Sequence, residues 1–210
     1  RERSRPVLEA VGRHGGLHLI VVGTLRVHTQ WEEGEPYYGS DSTIAPRDVA
    51  AEAQLWMEEM ALEQATTERP VSILRASNVQ GVPLSGPPGN GLLHKWAEES
   101  PIGWVNVPGD GSEMKDFVHV HDLAQCVLGV LSDPPPTRES LAVGSGKGIQ
   151  LRDLAEIYVQ MTGCETEYGQ SSEGQVFGIV DASEIEGRLG FRPVISLEEM
   201  IREALEAAGH

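Results

Sequence analysis

The 210 residues include 16 Lys and Arg against 32 Asp and Glu, a net charge of −16. Such a surface repels phosphate and excludes nucleic-acid binding through a basic patch. The 40% of apolar residues can fill one domain, or one domain with a small lobe. The longest apolar run, Leu17 to Leu25, is broken by His18, Gly23 and Thr24 and falls far short of the roughly 20 residues a membrane span needs.

In chain order, residue 1 is Arg and no cleavable apolar region follows. This argues against a signal peptide and for a start that has been removed, or a fragment. Val7 to Arg13 reads as the end of a helix, stopped at Gly15-Gly16. Leu17 to Val22 is a nearly continuous apolar run, the pattern of a parallel strand buried on both faces. Gly23 to Pro46, with Gly34, Pro36 and Gly39, reads as a long loop. A helix follows over Asp48 to Glu63, then a buried strand over Val71 to Leu74. Gly81 to Asn90 reads as an excursion. Beyond it come a helix at Leu92–Glu98, a strand at Trp104–Val107 and a hairpin turn at Gly109-Asp110-Gly111. The pattern then gives a strand at Phe117–Val120 and a helix at Leu123–Leu131 capped by Asp122.

Pro134 to Pro136 forms a rigid extended linker, and Leu141 to Val143 a strand. Leu151 to Thr162 is an amphipathic helix ended by Gly163, and Asp181 opens a helix through Leu189. Ser196 with Glu199 is a capping box for the last helix. Alternating strands and helices predict an α/β fold with a parallel sheet and helices on both faces. Cys126 and Cys164 cannot build a disulfide framework, and no Cys/His cluster has zinc spacing. A reducing, cytoplasmic setting is expected, with no metal.

Gly144-Ser145-Gly146-Lys147-Gly148 has the look of a phosphate loop. A Walker loop needs Ser or Thr after the lysine, and a dinucleotide fingerprint needs a third glycine where Ile149 stands. A strand-to-helix turn is the expected role.

Four segments taken together carry more. Arg75-Ala76-Ser77-Asn78-Val79-Gln80-Gly81 resembles the R-P-x-N-x-Y-G segment of extended short-chain dehydrogenases/reductases. Gly109 to Ala124 is similar to their G-D-G-x-x-x-R-D-F-V-H-V-x-D-L-A segment. Val143 to Gly146 followed by Leu151 to Ala155, and Asp181 to Ser183 with Leu189 to Pro193, resemble what comes later there. Order and spacing agree from about Leu17 to Ala207. The family is that of NAD(P)-dependent epimerases and dehydratases, many acting on nucleotide sugars.

The resemblance implies the later half of a Rossmann-like doubly wound sheet with a small C-terminal substrate-binding lobe. Residues 1–80, with 115–145 contributing, would form the partial Rossmann-like domain; 81–114 and 146–210 would form the lobe. It implies NAD or NADP as cofactor and a small-molecule substrate such as a nucleotide sugar. A homodimer would form through the segment ending at Arg13 and through Asp48–Glu63. Thr24 matches the family's Ser or Thr that hydrogen-bonds the reacting oxygen, four residues before His28, where the family usually has Tyr. It equally suits a turn cap. Asn78 matches an asparagine on the substrate's phosphate side, and an Asx turn is its other reading. Lys115 matches an arginine that pairs with the diphosphate; lysine keeps the charge and loses the fork. Ala76 and Val79 match positions near the nicotinamide, and core packing explains them as well.

Departures bound the claim. Family catalysis rests on Tyr-x-x-x-Lys. The tyrosines here are 37, 38, 158 and 168, and none has lysine four residues on. The matching pair is Val49/Ala53 or Ala50/Gln54, and the second choice aligns Glu58 with a common family acid. Tyr37 or Tyr38 could stand in, without the lysine. The glycine-rich first turn and ribose-reading acid would precede residue 1. Between Gly163 and Asp181 no arginine stands where many relatives hold the nucleotide. A catalytically degenerate ligand-binding relative, or a partner subunit, is the alternative reading. Lacking earlier strands, Leu17–Val22 would be an open, sticky sheet edge.

Overall fold

A computed structural model describes residues 5–28, 37–46, 48–83, 91–169 and 178–209. Three parallel strands form the central sheet in the order β1 (Leu19–Thr24), β3 (Val71–Ala76), β7 (Arg138–Val143). The two-residue β2 (Tyr37–Tyr38) lies inside the span expected to be loop. β3 is buried along its whole length, as its unbroken apolar pattern requires. Its side chains alternate between two helical layers. Val71 and Ile73 pack with Leu8 of α1 (Arg5–Gly12) and Ala61 of α2 (Val49–Leu62). Leu74 and Ala76 pack with Leu123 and Cys126 of α4 (Val120–Ser132) and Ile185 of α6 (Ala182–Leu189). The expected α/β architecture, a Rossmann-like sheet covered on both faces, is present.

A second core lies to one side. Trp96 of α3 (Leu92–Glu99), Val105 and Val107 of β5 (Trp104–Val107), Leu154 and Tyr158 of α5 (Leu151–Thr162) and Ile201 of α7 (Leu197–Ala207) pack together. Between the two cores stands a small sheet in the order β4 (Asn78–Gln80), β6 (Met114–His119), β8 (Gly148–Gln150). The chain does not divide cleanly at residue 146. α6 returns to the central sheet, because Ile185 and Leu189 complete the apolar layer over β7.

Two local expectations are corrected. Gly109 to Gly111 turn without forming a hairpin: β5 pairs with β9 (Glu165–Tyr168), and β6 pairs with β4 and β8. Helix α4 starts at Val120, capped by His119, whose Nδ1 accepts from His121 N at 3.1 Å. Asp122 is instead buried and accepts from Val194 N and Ile195 N at 3.2 and 3.1 Å, anchoring the approach to α7. The capping box at Ser196 and Glu199 and the left-handed Gly163 stop are as expected. Of the expected excursion from Gly81 to Asn90, residues 84–90 lie outside the described residues.

β1 pairs with β3 on one side and with no other described strand. It carries no charge and no proline, and Val22 is 48% exposed. Such an edge invites intermolecular pairing. The 210-residue chain should sediment as oligomers or precipitate, and Val22→Lys should raise its soluble fraction. A monodisperse monomer with a sharp, reversible melt contradicts this.

Candidate functional site

The carboxyl ends of parallel strands are where open α/β sheets bind ligands. Thr24 ends β1 and lies opposite Ala76 at the end of β3. Thr24 Oγ1 accepts from Arg26 N at 3.3 Å, so it does cap the following turn. Ala76 is buried among the core residues beneath α4. Just beyond, β4 runs parallel to β6 with Asn78 opposite Phe117. Lys115 is two residues before Phe117, so Asn78 and Lys115 share one face of this pair. Val79 turns to the other face and is 36% exposed. Asn78 Nδ2 donates to Asp116 O at 2.8 Å. Lys115 Nζ lies 2.7 Å from Glu113 Oε1.

The carboxylate of Asp116 organises the backs of these strands. Fully buried, it accepts from Ser145 N at 2.8 Å and Ser145 Oγ at 2.6 Å through Oδ1. Through Oδ2 it accepts from Gly146 N and Val180 N, both at 3.1 Å. A Cβ on Gly144 would meet Oδ2 at 2.6 Å, which is why the loop needs glycine there. Burial pushes the Asp116 carboxyl up, against the pull of its hydrogen bonds from Ser145, Val180 and Gly146. The phosphate-loop look-alike therefore spends the Ser145 and Gly146 N–H groups on the protein's own carboxylate.

A second buried cluster lies under Thr24, on the α2 side of the sheet. Arg75 Nε donates to Glu58 Oε2 at 2.9 Å, with both side chains almost wholly buried. Arg75 Nη1 lies 2.9 Å from His28 Nε2, and His28 Nδ1 lies 3.3 Å from Thr43 O. These contacts fit a neutral imidazole that donates from Nδ1 and accepts at Nε2. Tyr38 stacks on His28 at 6.0 Å. Gly23 has no Cβ because one would fall 2.3 Å from Glu58 Oε1. Burial pushes the Glu58 carboxyl up, against the opposite pull of Arg75. Burial and then the Arg75 charge push the His28 pKa down. The sequence offered one clue to this cluster: an arginine within an apolar strand needs a carboxylate, and Glu58 aligns with a common family acid.

Both candidate pairs for the absent Tyr and Lys, Val49/Ala53 and Ala50/Gln54, lie in the first turns of α2, and Gln54 Nε2 donates to Val22 O at 3.4 Å. Tyr38 is buried, and a Cβ on Gly178 would fall 1.7 Å from its ring. Tyr37 is 53% exposed. Tyr158 donates to Leu93 O at 2.6 Å inside the lobe core. Eight residues of the stretch without an arginine, 170–177, lie outside the described residues. Among the described residues no cluster of His, Cys, Asp and Glu could hold a metal.

The model of the NAD dependent epimerase/dehydratase family matches residues 2–144. The chain belongs to that family. It is 29% identical over 150 residues to a dTDP-L-rhamnose 4-epimerase of Burkholderia thailandensis, covering 65% of this chain and 39% of the relative. A putative UDP-glucose 4-epimerase of Methanocaldococcus jannaschii is 31% identical over 142 residues, covering 64% of this chain and 44% of the relative. The chain thus spans less than half the length of these family members. The fold is shared with the UDP-glucose 4-epimerase of Thermotoga maritima, solved with UDP-glucose (TM-score 0.83, 24% identity, 97% of this chain and 67% of that one). It is also shared with the dTDP-glucose 4,6-dehydratase of Bacillus anthracis, solved with NAD (TM-score 0.84, 19% identity, 97% of this chain and 65% of that one).

His28 has a folded pKa below its ordinary value of 6.5. Its contribution to stability is complete above that value and is lost as pH falls through it, because the unfolded chain then binds the proton first. His18, pushed down mainly by burial, acts in the same sense. Urea unfolding should show stability falling between pH 7.5 and 5.5, by up to about 1.4 kcal/mol per pH unit for each histidine. His28→Gln should flatten that slope. An identical slope in the variant contradicts the neutral-imidazole assignment.

Proposed function

We propose that the chain is the substrate-side part of an NAD(P)-dependent epimerase- or dehydratase-type protein that handles a nucleotide sugar. The observation that carries this reading is the register of β4 on β6, with Asn78 and Lys115 on one face just beyond Thr24 and Ala76. The residues present fit a nicotinamide: one hydroxyl and small apolar side chains stand at adjacent strand ends, with the half-exposed Val79 beyond. A bound nicotinamide supplies hydride acceptance and return. Thr24 donates its hydroxyl to the reacting oxygen, and Ala76 and Val79 line the ring. The Asn78 amide has a second N–H beside the one held by Asp116 O, and it serves a phosphate oxygen. Lys115 adds the positive charge.

A second reading, a ligand-binding relative without turnover, is favoured because neither Val49/Ala53 nor Ala50/Gln54 can carry a proton. Exposed Val7 on α1 and Val49 on α2, 62% and 79% accessible, support a homodimer through these helices. The free thiols of Cys126 and Cys164 support a cytoplasmic setting.

Calorimetric titration with NAD and NADP, followed by assays on a panel of nucleotide sugars, tests the proposal. The expected result is cofactor binding with turnover that falls about a hundredfold in Thr24→Val, the order of effect for a lost oxyanion donor. Binding without turnover selects the second reading. No binding of either dinucleotide or any nucleotide sugar sinks both.

A further inference from the structure

Lys115 is the second residue of β6, and Glu113 lies immediately before the strand begins at Met114. Among the partners of Lys115 is this neighbour: Nζ and Oε1 are 2.7 Å apart, and the Lys115 and Glu113 side chains are only 15% and 9% exposed. Partly buried charges are screened much less than surface ones. The ammonium group offered to a phosphate is therefore already answered by a carboxylate two residues earlier in the chain. Asn78, on the same face, is neutral. Asp116, next to Lys115 in the strand, points to the opposite face and is satisfied by Ser145, Gly146 and Val180. A ligand phosphate reaching Lys115 must compete with Glu113 and approach it as a like charge.

We propose that Glu113 is a specificity-determining residue, an internal competitor that occupies Lys115 and lowers the preference of this face for a diphosphate over an uncharged nucleoside. The inference rests on the proposed function and deepens it. The chemistry is an exchange of ionic partners: the ammonium leaves a carboxylate for a phosphate oxygen, with no bond made or broken. The freed carboxylate must then turn to water or accept a proton, so its hold on Lys115 is subtracted from the affinity for the phosphate. Background charge acts in the same direction, because the chain carries −16 overall.

Calorimetric titration of the 210-residue chain with uridine diphosphate and with uridine tests this in four proteins: the parent, Glu113→Gln, Lys115→Met and the double variant. Removing one nearby negative charge while keeping the side-chain shape should tighten uridine diphosphate binding about tenfold. Uridine, which has no phosphate, should change less than about twofold. The gain should vanish when Lys115 is also replaced. Glu113→Ala serves as a second variant should the glutamine disturb folding. Equal diphosphate affinity in the parent and Glu113→Gln overturns the proposal. So does an equal gain for uridine, or a gain that survives loss of Lys115. If neither ligand binds any of the four proteins, the nucleotide-sugar reading falls as well; if both bind and only the difference is missing, this inference alone falls.

Discussion

Asp116 stands where the central sheet, the small sheet and the lobe meet, and its carboxylate is completely buried. Four hydrogen bonds reach it: three from the turn after β7 and one from Val180 of β10 (Ile179–Val180). A buried carboxylate is costly unless donors surround it, so this geometry fixes the turn, β10 and β6 relative to one another. Through its carbonyl the same residue holds Asn78. With the strand pinned on one face, Lys115 and Glu113 are presented on the other. β10 in turn pairs with β2, which brings Tyr38 over His28.

The second constraint is the pair of Arg75 and Glu58 beneath the strand ends. A buried pair contributes little net stability, yet removing either partner strands a charge at a cost of about 3–5 kcal/mol. Its effect here is geometric. Arg75 reaches both Glu58 in the second half of α2 and His28 in the turn after β1, so both are tied to β3. The glycine at 23 follows from the same packing, since Glu58 takes the space a side chain would need.

Much of the architecture was legible because apolar runs of strand length alternate with 3.6-residue stripes, and that rhythm has few other solutions. The Ser196 box and the stop at Gly163 were legible because caps are local chemistry. Asp122 misled for the same reason: the pattern of an acid ahead of an apolar helix is a cap signature, whereas its actual partners are 72 and 73 residues away. The two-residue β2 and β10 carry too little pattern to be read. The family motifs indicated Thr24, Asn78 and Lys115; strand register sets Thr24 opposite Ala76 in one sheet and Asn78 opposite Phe117, two residues from Lys115, in the other. The pairing of Lys115 with Glu113 is close in sequence, across the start of β6, but only the fold shows that the two side chains are buried together. The phosphate-loop resemblance could be judged from Gly148 alone; what the glycines do instead, wrapping Asp116, required the three-dimensional arrangement.

Replacing Asp116 by alanine removes the acceptor shared by the turn after β7 and β10. Urea unfolding of Asp116→Ala should show a loss of at least about 3 kcal/mol, because buried donors left without an acceptor cost about 1–3 kcal/mol each. A folded variant within about 0.5 kcal/mol of the parent, the range of ordinary surface substitutions, would show that this carboxylate does not hold the site together.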